Sequence, residues 1–159
     1  MNIPSREKCL DILTKNKTPS IIIEHTKEVC KVAEDIAEKL LKKGMKLNKE
    51  LVTAASLLHD IERAKDNHII EGANLLKSLG YPEVSEVIRK HSLYKLKDSD
   101  RQPRTIEEKI VFYADKRVNG NKIVSLKERF DALEKKHNVD LSKELEFAKK
   151  IEEELITLN

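Results

Sequence analysis

The sequence predicts an all-α fold, with one helical bundle formed by residues 1–159 as a single domain. Charged residues make up 37% of the chain and apolar residues 39%, a balance typical of helices with one buried and one solvated face. Apolar residues recur at helical spacing, and no stretch alternates with the period of a β-strand. Only four glycines and four prolines interrupt the 159 residues, which leaves room for long helices.

Capping and breaking residues divide the chain into eight predicted helices. In chain order they span about 6–15, 21–43, 49–63, 68–79, 83–91, 106–118, 122–136 and 141–158. Residues 21–118 contain the chemically informative motifs described below. The last two helices, within 122–158, are expected to complete the core or to form an oligomer face.

Local signals define the first two helices. Ser5 is a suitable N-cap for the first helix. Gly44 ends the second, because glycine readily adopts the left-handed conformation that closes many helices. The second helix has an apolar stripe that includes Val29. Extending this stripe by four residues towards the N-terminus leads to His25, so we expect the His25 imidazole on the buried face.

The third helix carries the most informative stretch, LVTAASLLHDIER, residues 51–63. It follows Asn48, a suitable N-cap, and its small and branched apolar residues predict a helix buried on most sides. This apolar run ends at His59 and Asp60. A buried polar group without a partner costs about 1–3 kcal/mol. Other side chains, or a metal ion, are therefore expected to meet this imidazole and carboxylate.

The next three helices carry further polar groups on apolar faces. His68 opens the fourth helix, and Gly72 follows one turn later. Glycine in mid-helix costs about 1 kcal/mol relative to alanine, which suggests close helix packing beside a crowded site. Pro82 suits the first position of the fifth helix, and His91 is predicted on its apolar side. In the sixth helix Asp115 ends the otherwise apolar run IVFYAD.

The remaining segments have less specific signals. Residues 93–104 are charged and contain Pro103, so we expect an exposed loop. The triplet Asn119-Gly120-Asn121 predicts a turn before the two amphipathic C-terminal helices. The apolar positions of these two helices are Ile123, Leu126, Phe130 and Leu133, and then Leu145, Ala148, Ile151 and Leu155.

Composition excludes several classes of protein. The net charge of +3 comes from 31 basic and 28 acidic residues, and there is no Trp, so a nucleic-acid-binding protein is not expected. The N-terminus lacks the apolar segment of a signal peptide, and no stretch approaches the roughly 20 apolar residues that span a membrane. We expect a cytoplasmic protein in which Cys9 and Cys30 are reduced packing residues.

Six side chains of the metal-binding type lie at helix ends or on apolar helix faces: His25, His59, Asp60, His68, His91 and Asp115. Imidazole and carboxylate together suit divalent iron, manganese, zinc, cobalt or nickel, and a bound cation offsets the cost of burying them. Taken alone, a buried His is more often a hydrogen-bonded core residue, and an Asp a cap or surface charge. The coincidence of all six favours a metal site, whereas His137, in the polar turn KKHNVD, is predicted to be an ordinary surface histidine.

These motifs resemble the signature H…HD…D of the HD-domain phosphohydrolases, whose fold is all-α. The local contexts SLLHDI and YADK agree with that signature as well. The resemblance implies a first metal ion held by His25, His59, Asp60 and Asp115. His68 and His91 are similar to the two extra histidines of members that bind a second ion, which Asp60 would bridge. This pattern resembles the subgroup that includes bacterial diadenosine tetraphosphate hydrolases and other small HDIG-type proteins.

The resemblance implies an enzyme that cleaves a phosphoester or phosphoanhydride bond of a small nucleotide-like substrate, using water activated by one or two divalent ions. Asp60 and Arg63 are the candidate catalytic residues. Arg63 is the first candidate to bind the substrate phosphate, because a guanidinium matches two phosphate oxygens, and Lys116 is the second. The loop 93–104 is a candidate to close over the substrate. Glu62 departs from the family pattern, which often has Gly at this position.

Two other interpretations stay open. The domain could bind a nucleotide or a metal without turnover and signal to a partner through its C-terminal helices, which also leave a homodimer open. A pair of iron ions in the same ligand set could instead support an oxygenase.

Overall fold

Eight α-helices form the fold over the residues that the computed structural model describes, 1–93 and 96–158. They are α1 (Arg6–Lys15), α2 (Ser20–Lys42), α3 (Lys49–Leu58), α4 (His68–Ser78), α5 (Pro82–Arg89), α6 (Ile106–Asp115), α7 (Leu126–His137) and α8 (Ser142–Leu158). A two-stranded antiparallel hairpin, β1 (Val118–Asn119) and β2 (Lys122–Ile123), connects α6 to α7. The all-α prediction is confirmed.

Helix α3 occupies the centre of the bundle. It packs against α1, α2, α5 and α6, and its residues 54–58 are fully buried. The predicted burial of this helix on most sides is thus observed. Helix α4 packs mainly against α5, while α8 packs against α6 and α7. None of the helices in the described residues is both long and apolar enough to cross a membrane.

Capping groups begin several helices, as the sequence predicts. The Ser5 side chain accepts a hydrogen bond from the Lys8 amide, and the Asn48 side chain accepts one from the Leu51 amide. These bonds satisfy amides that have no partner within the helix. Gly44 follows α2 with φ +87°, the left-handed conformation expected for a residue that closes a helix.

The connection between α6 and α7 differs from the prediction. Helix α6 ends at Asp115, not Val118, and α7 begins at Leu126, not Lys122. Val118 instead pairs with Ile123 across the hairpin, and Ile123 is 57% exposed although it was predicted to belong to the core stripe. Gly120, with φ +63°, allows the tight turn. Strands of two residues are too short to produce an alternating pattern in the sequence.

Two smaller predictions also need correction. Helix α5 ends at Arg89, so His91 lies beyond the helix and not on its apolar side, although it is buried. The loop 93–104 is not uniformly exposed, because Leu96 and Pro103 are buried and 99–101 form a 3-10 turn. Residues 94 and 95 of this loop lie outside the described residues.

The predicted close packing at Gly72 is observed, but it does not require glycine. A methyl group there would lie 3.4 Å from Ile61 Cγ2 and 3.7 Å from Ile88 Cδ1. These are ordinary van der Waals contacts, so alanine fits and larger side chains would overpack the region behind the polar site.

Both cysteines are free and buried, as the sequence predicts for packing residues. The Cys9 thiol donates to the Pro4 carbonyl, and the Cys30 thiol donates to the Thr53 carbonyl. Burial raises the pKa of each thiol to about 12.

We therefore expect iodoacetamide to react very slowly with the folded protein at pH 8. The thiolate is the reactive form, and a pKa near 12 leaves only about one thiol in ten thousand ionised at that pH. Mass spectrometry after timed labelling should find unmodified protein under native conditions and two modifications in urea. Native labelling as fast as labelling in urea would contradict the burial of these thiols.

Candidate metal centre

Helix ends and the turns that follow them bring the six predicted ligand residues into one interior region. They form two groups, His25 with His59, Asp60 and Asp115, and Asp60 with His68 and His91. Within each group the ligand atoms all lie within 4.8 Å of one another. Ions with ligands at about 2.0–2.2 Å require such separations. The chain therefore contains a His/Asp cluster that could hold a divalent metal, and Asp60 belongs to both groups.

Backbone carbonyl groups orient three of the histidines. The Nδ1 atoms of His25, His59 and His91 donate hydrogen bonds to the carbonyls of Gly120, Ser56 and Ile88, at 2.6, 2.7 and 2.5 Å. A carbonyl oxygen can only accept, so each Nδ1 carries a proton. In the neutral ring the Nε2 atom then has a free lone pair, which is the form that binds a metal.

In the first group these Nε2 atoms face carboxylate oxygens. Asp115 Oδ1 lies 3.1 Å from His25 Nε2 and 3.2 Å from His59 Nε2. Asp60 Oδ2 lies 3.7 Å and 3.5 Å from the same two nitrogens. A neutral Nε2 and an ionised carboxylate are both acceptors, so a proton or a metal cation is needed between them. This donor set fits a divalent ion.

The second group contains an unpaired buried oxygen. Asp60 Oδ1 lies 3.4 Å from His91 Nε2 and 4.0 Å from His68 Nε2. This oxygen is buried and accepts no hydrogen bond from the described residues. An unsatisfied buried carboxylate oxygen is costly, and a cation bound beside it would remove that cost. The arrangement therefore fits a second ion.

Electrostatic interactions keep both carboxyl groups ionised. Burial disfavours the charge of Asp60, but His59 and His91 outweigh it and hold the pKa of Asp60 below its ordinary value. Burial likewise opposes ionisation of Asp115, whose pKa is held well below the ordinary value mainly by Lys116 and then by the neighbouring histidines. These two carboxylates in turn raise the pKa of His59 in spite of its complete burial.

His68 behaves differently from His59. Burial and the charge of Arg63 lower the pKa of His68 to about 4, so its imidazole is neutral at pH 7. Arg63 Nη1 lies 3.1 Å from His68 Nε2 and donates a hydrogen bond to it. Arg63 itself is exposed. The guanidinium thus lies beside the second group, where the sequence predicts a phosphate-binding residue.

The structure places Lys116 deeper than a substrate-binding residue would require. It is 3% exposed, and its Nζ donates to Asp115 Oδ2 at 2.5 Å and to the His91 carbonyl at 2.8 Å. These bonds connect two ligand residues from different elements. They favour a role in positioning Asp115 and His91, and the predicted contact of Lys116 with substrate stays a prediction.

Glu62, which replaces the Gly common in the family motif, points away from the ligand atoms. Its carboxylate accepts a hydrogen bond from Asn16 Nδ2 at 2.6 Å and pairs with Lys65 at 2.5 Å. Asn16 also donates to the Ile61 carbonyl. Glu62 therefore connects the segment after Asp60 to the end of α1, and it belongs to neither of the two ligand groups.

A cavity of about 550 Å³ opens next to the two ligand groups. Arg63, His68, His91, Asp115 and Lys116 line it on the side of the ligands. Sequence reasoning missed the residues that line it from α7 and the segment after α7: Arg129, Leu133, His137, Val139 and Leu141. Three of these are spaced four residues apart, a signal that could have placed them on one helix face. His137 is exposed, as predicted, but it also borders this cavity.

Comparison with known proteins agrees with this geometry. The family model described as HD domain matches residues 22–120, nearly the segment in which the motifs were recognised. An uncharacterised protein of Methanocaldococcus jannaschii is 33% identical over 144 aligned positions, which cover 82% of this chain and 85% of that protein. No solved structure gave a significant match.

Two further relatives are considerably longer than this chain. They are proteins named tRNA (cytidine(56)-2'-O)-methyltransferase, from Picrophilus torridus and Thermoplasma volcanium, each 33% identical. The matches cover 98% and 84% of this chain but only 48% and 42% of the relatives. The chain therefore spans about half the length of these relatives, or less.

We expect Lys116→Met to destabilise the protein by about 3 kcal/mol, because it leaves the Asp115 carboxylate buried without its cation. Urea unfolding should be measured with a chelator present, so that no metal replaces the lost charge. Lys127→Met is the matched control, since Lys127 is exposed and pairs with Asp131 at the surface. The control should change the free energy of unfolding by less than about 0.5 kcal/mol. Equal, small effects of both substitutions would contradict the proposed importance of the buried pair.

Proposed function

The chain belongs to the HD domain family, and from this premise we propose that it is a metal-dependent phosphohydrolase that cleaves a phosphoester or phosphoanhydride bond of a nucleotide-like substrate. The observation that carries this proposal is the pair of ligand groups that share Asp60 beside a cavity lined by cationic side chains. The substrate class agrees with the cavity, because phosphate oxygens are the natural partners of such cations.

The six ligand residues would have the following roles. His25, His59, Asp60 and Asp115 would hold one divalent ion, and Asp60, His68 and His91 would hold a second. Ions held there lower the pKa of water from 15.7 towards about 7 and neutralise charge on phosphoryl oxygens. Asp60 presents one oxygen to each group, so both groups would depend on the rotamer of this one side chain. This dependence makes Asp60 the central catalytic candidate.

Arg63 is the best candidate for a residue that binds the reacting phosphate. Its guanidinium now donates to His68 Nε2, the nitrogen that would face the second ion. When that nitrogen is used as a ligand, Arg63 is left without this partner. A guanidinium at the mouth of the cavity could then bind two phosphoryl oxygens and orient them for attack by water.

A regulatory function is the second candidate. It is favoured by the two longer relatives, whose names describe methyl transfer to a tRNA, although this chain matches less than half of either protein. A domain with the same ligand set could bind a nucleotide or metal and transmit that state to another unit. Methyl transfer is not proposed for this chain, because the names describe whole proteins.

The central test combines metal analysis with a turnover assay. Protein purified without chelator should contain divalent metal and should hydrolyse bis-para-nitrophenyl phosphate or a nucleotide from a broad panel. Asp60→Ala removes a ligand from both groups and should lower metal content and turnover by at least about a hundredfold. Asp131→Ala, at an exposed site on α7, should change neither quantity.

The His68→Ala variant distinguishes a site that binds one metal ion from a site that binds two. This variant should lose about half of the metal bound by the wild type, because the first group does not contain His68. Tight nucleotide binding without turnover, across manganese, iron, cobalt, nickel and zinc, would reject the hydrolase and favour the regulatory function. A wild type that binds none of these metals would reject both proposals.

A further inference from the structure

One side of α7 both packs into the core and lines the cavity. Leu126 and Phe130 are buried on the core side. Arg129, Leu133 and His137 follow one another at intervals of four residues, and these three side chains border the cavity. We call these three residues, together with Val139 and Leu141, the α7 wall.

Arg129 has no anionic partner within the described part of the chain. Its Nε atom is buried and makes no hydrogen bond, and no described carboxylate forms an ion pair with its guanidinium. Some other arginines do have such partners: Arg6 pairs with Glu34 and Arg89 with Glu86. Lys116 lines the same cavity. An anion that enters the cavity would form charge-assisted hydrogen bonds with the partly buried guanidinium of Arg129.

Leu133, Val139 and Leu141 form the apolar part of the α7 wall, and Glu134 holds the last two in place. Asn138 adopts a left-handed conformation, with φ +51°, and turns the chain at the end of α7. The Val139 amide donates to the Glu134 carbonyl, and the Leu141 amide donates to the Glu134 carboxylate at 2.8 Å. These bonds fix Val139 and Leu141 beside Leu133, so an apolar surface adjoins the unpaired guanidinium.

We propose that the α7 wall binds the part of the substrate that does not react, and that this substrate is a nucleoside carrying at least two phosphate groups. The inference rests on the function proposed above. One phosphate lies at the ligand groups near Arg63, and Arg129 binds the other. The apolar side chains pack against the nucleoside. Arg129 is thereby a specificity-determining residue, because it contacts substrate away from the reacting phosphorus.

The test measures binding, so that it does not depend on hydrolysis. Manganese-loaded protein is titrated calorimetrically with the α,β-methylene analogues of ADP and GDP, with AMP and GMP, and with methylenediphosphonate. The wild type should bind at least one diphosphate analogue about tenfold more tightly than its monophosphate. Arg129→Gln should remove that preference while monophosphate affinity and bound metal stay within twofold. Arg129→Lys should restore part of it.

Two further variants complete the design. Leu133→Ser should weaken the nucleotide analogues but not methylenediphosphonate, because only the nucleosides contact the apolar surface. Lys127→Gln, an exposed position on the same helix, should change none of the affinities.

The proposal is overturned if Arg129→Gln keeps the wild-type preference, if it loses bound metal and all ligands together, or if the wild type binds neither nucleotide series. Absence of turnover towards every phosphoester, with the Arg129-dependent preference intact, would instead reject the hydrolase and leave the recognition by the α7 wall standing.

Discussion

Two buried carboxylates govern the arrangement of this protein. Asp60 and Asp115 lie in the interior of a helical bundle, yet their neighbours hold both in the ionised form. Such charges are stable in a protein interior only when positive charge or hydrogen-bond donors surround them. The ammonium of Lys116 and the imidazoles of the ligand groups surround the carboxylates in this way, and the divalent ions that the site fits would do the same. Because these partners come from different helices, the carboxylates also determine how the helices meet.

The positions of the ligands at helix ends follow from backbone chemistry. The last four carbonyl groups of an α-helix have no partner within it. Ser56 lies in the last turn of α3 and Ile88 in the last turn of α5, and their carbonyls accept the Nδ1 protons of His59 and His91. Each ring is thereby fixed with Nε2 towards the carboxylates. A histidine three residues after such a carbonyl is oriented by the helix that precedes it, without any additional side chain.

The sequence was sufficient for those features that depend on local signals. The caps at Ser5 and Asn48 and the burial of α3 arise from residues close together in the chain. The HD motif can likewise be recognised from its own residues. Features that depend on distant contacts were not predictable in the same way. The two-residue strands of the hairpin have no periodicity of their own. Leu133 has the spacing of a core residue, and only the packed structure shows that it lines a cavity.

The hairpin between α6 and α7 has a consequence for how the domain can be divided. The HD family match ends at residue 120, and the carbonyl of Gly120 accepts the Nδ1 proton of His25, ninety-five positions earlier in the chain. The last matched residue is thus also the one that orients the first ligand. Truncation of the chain at this boundary, or fusion of new sequence to it, would alter the backbone that orients the His25 imidazole. The junction at which the family match ends is therefore itself a component of the candidate metal centre.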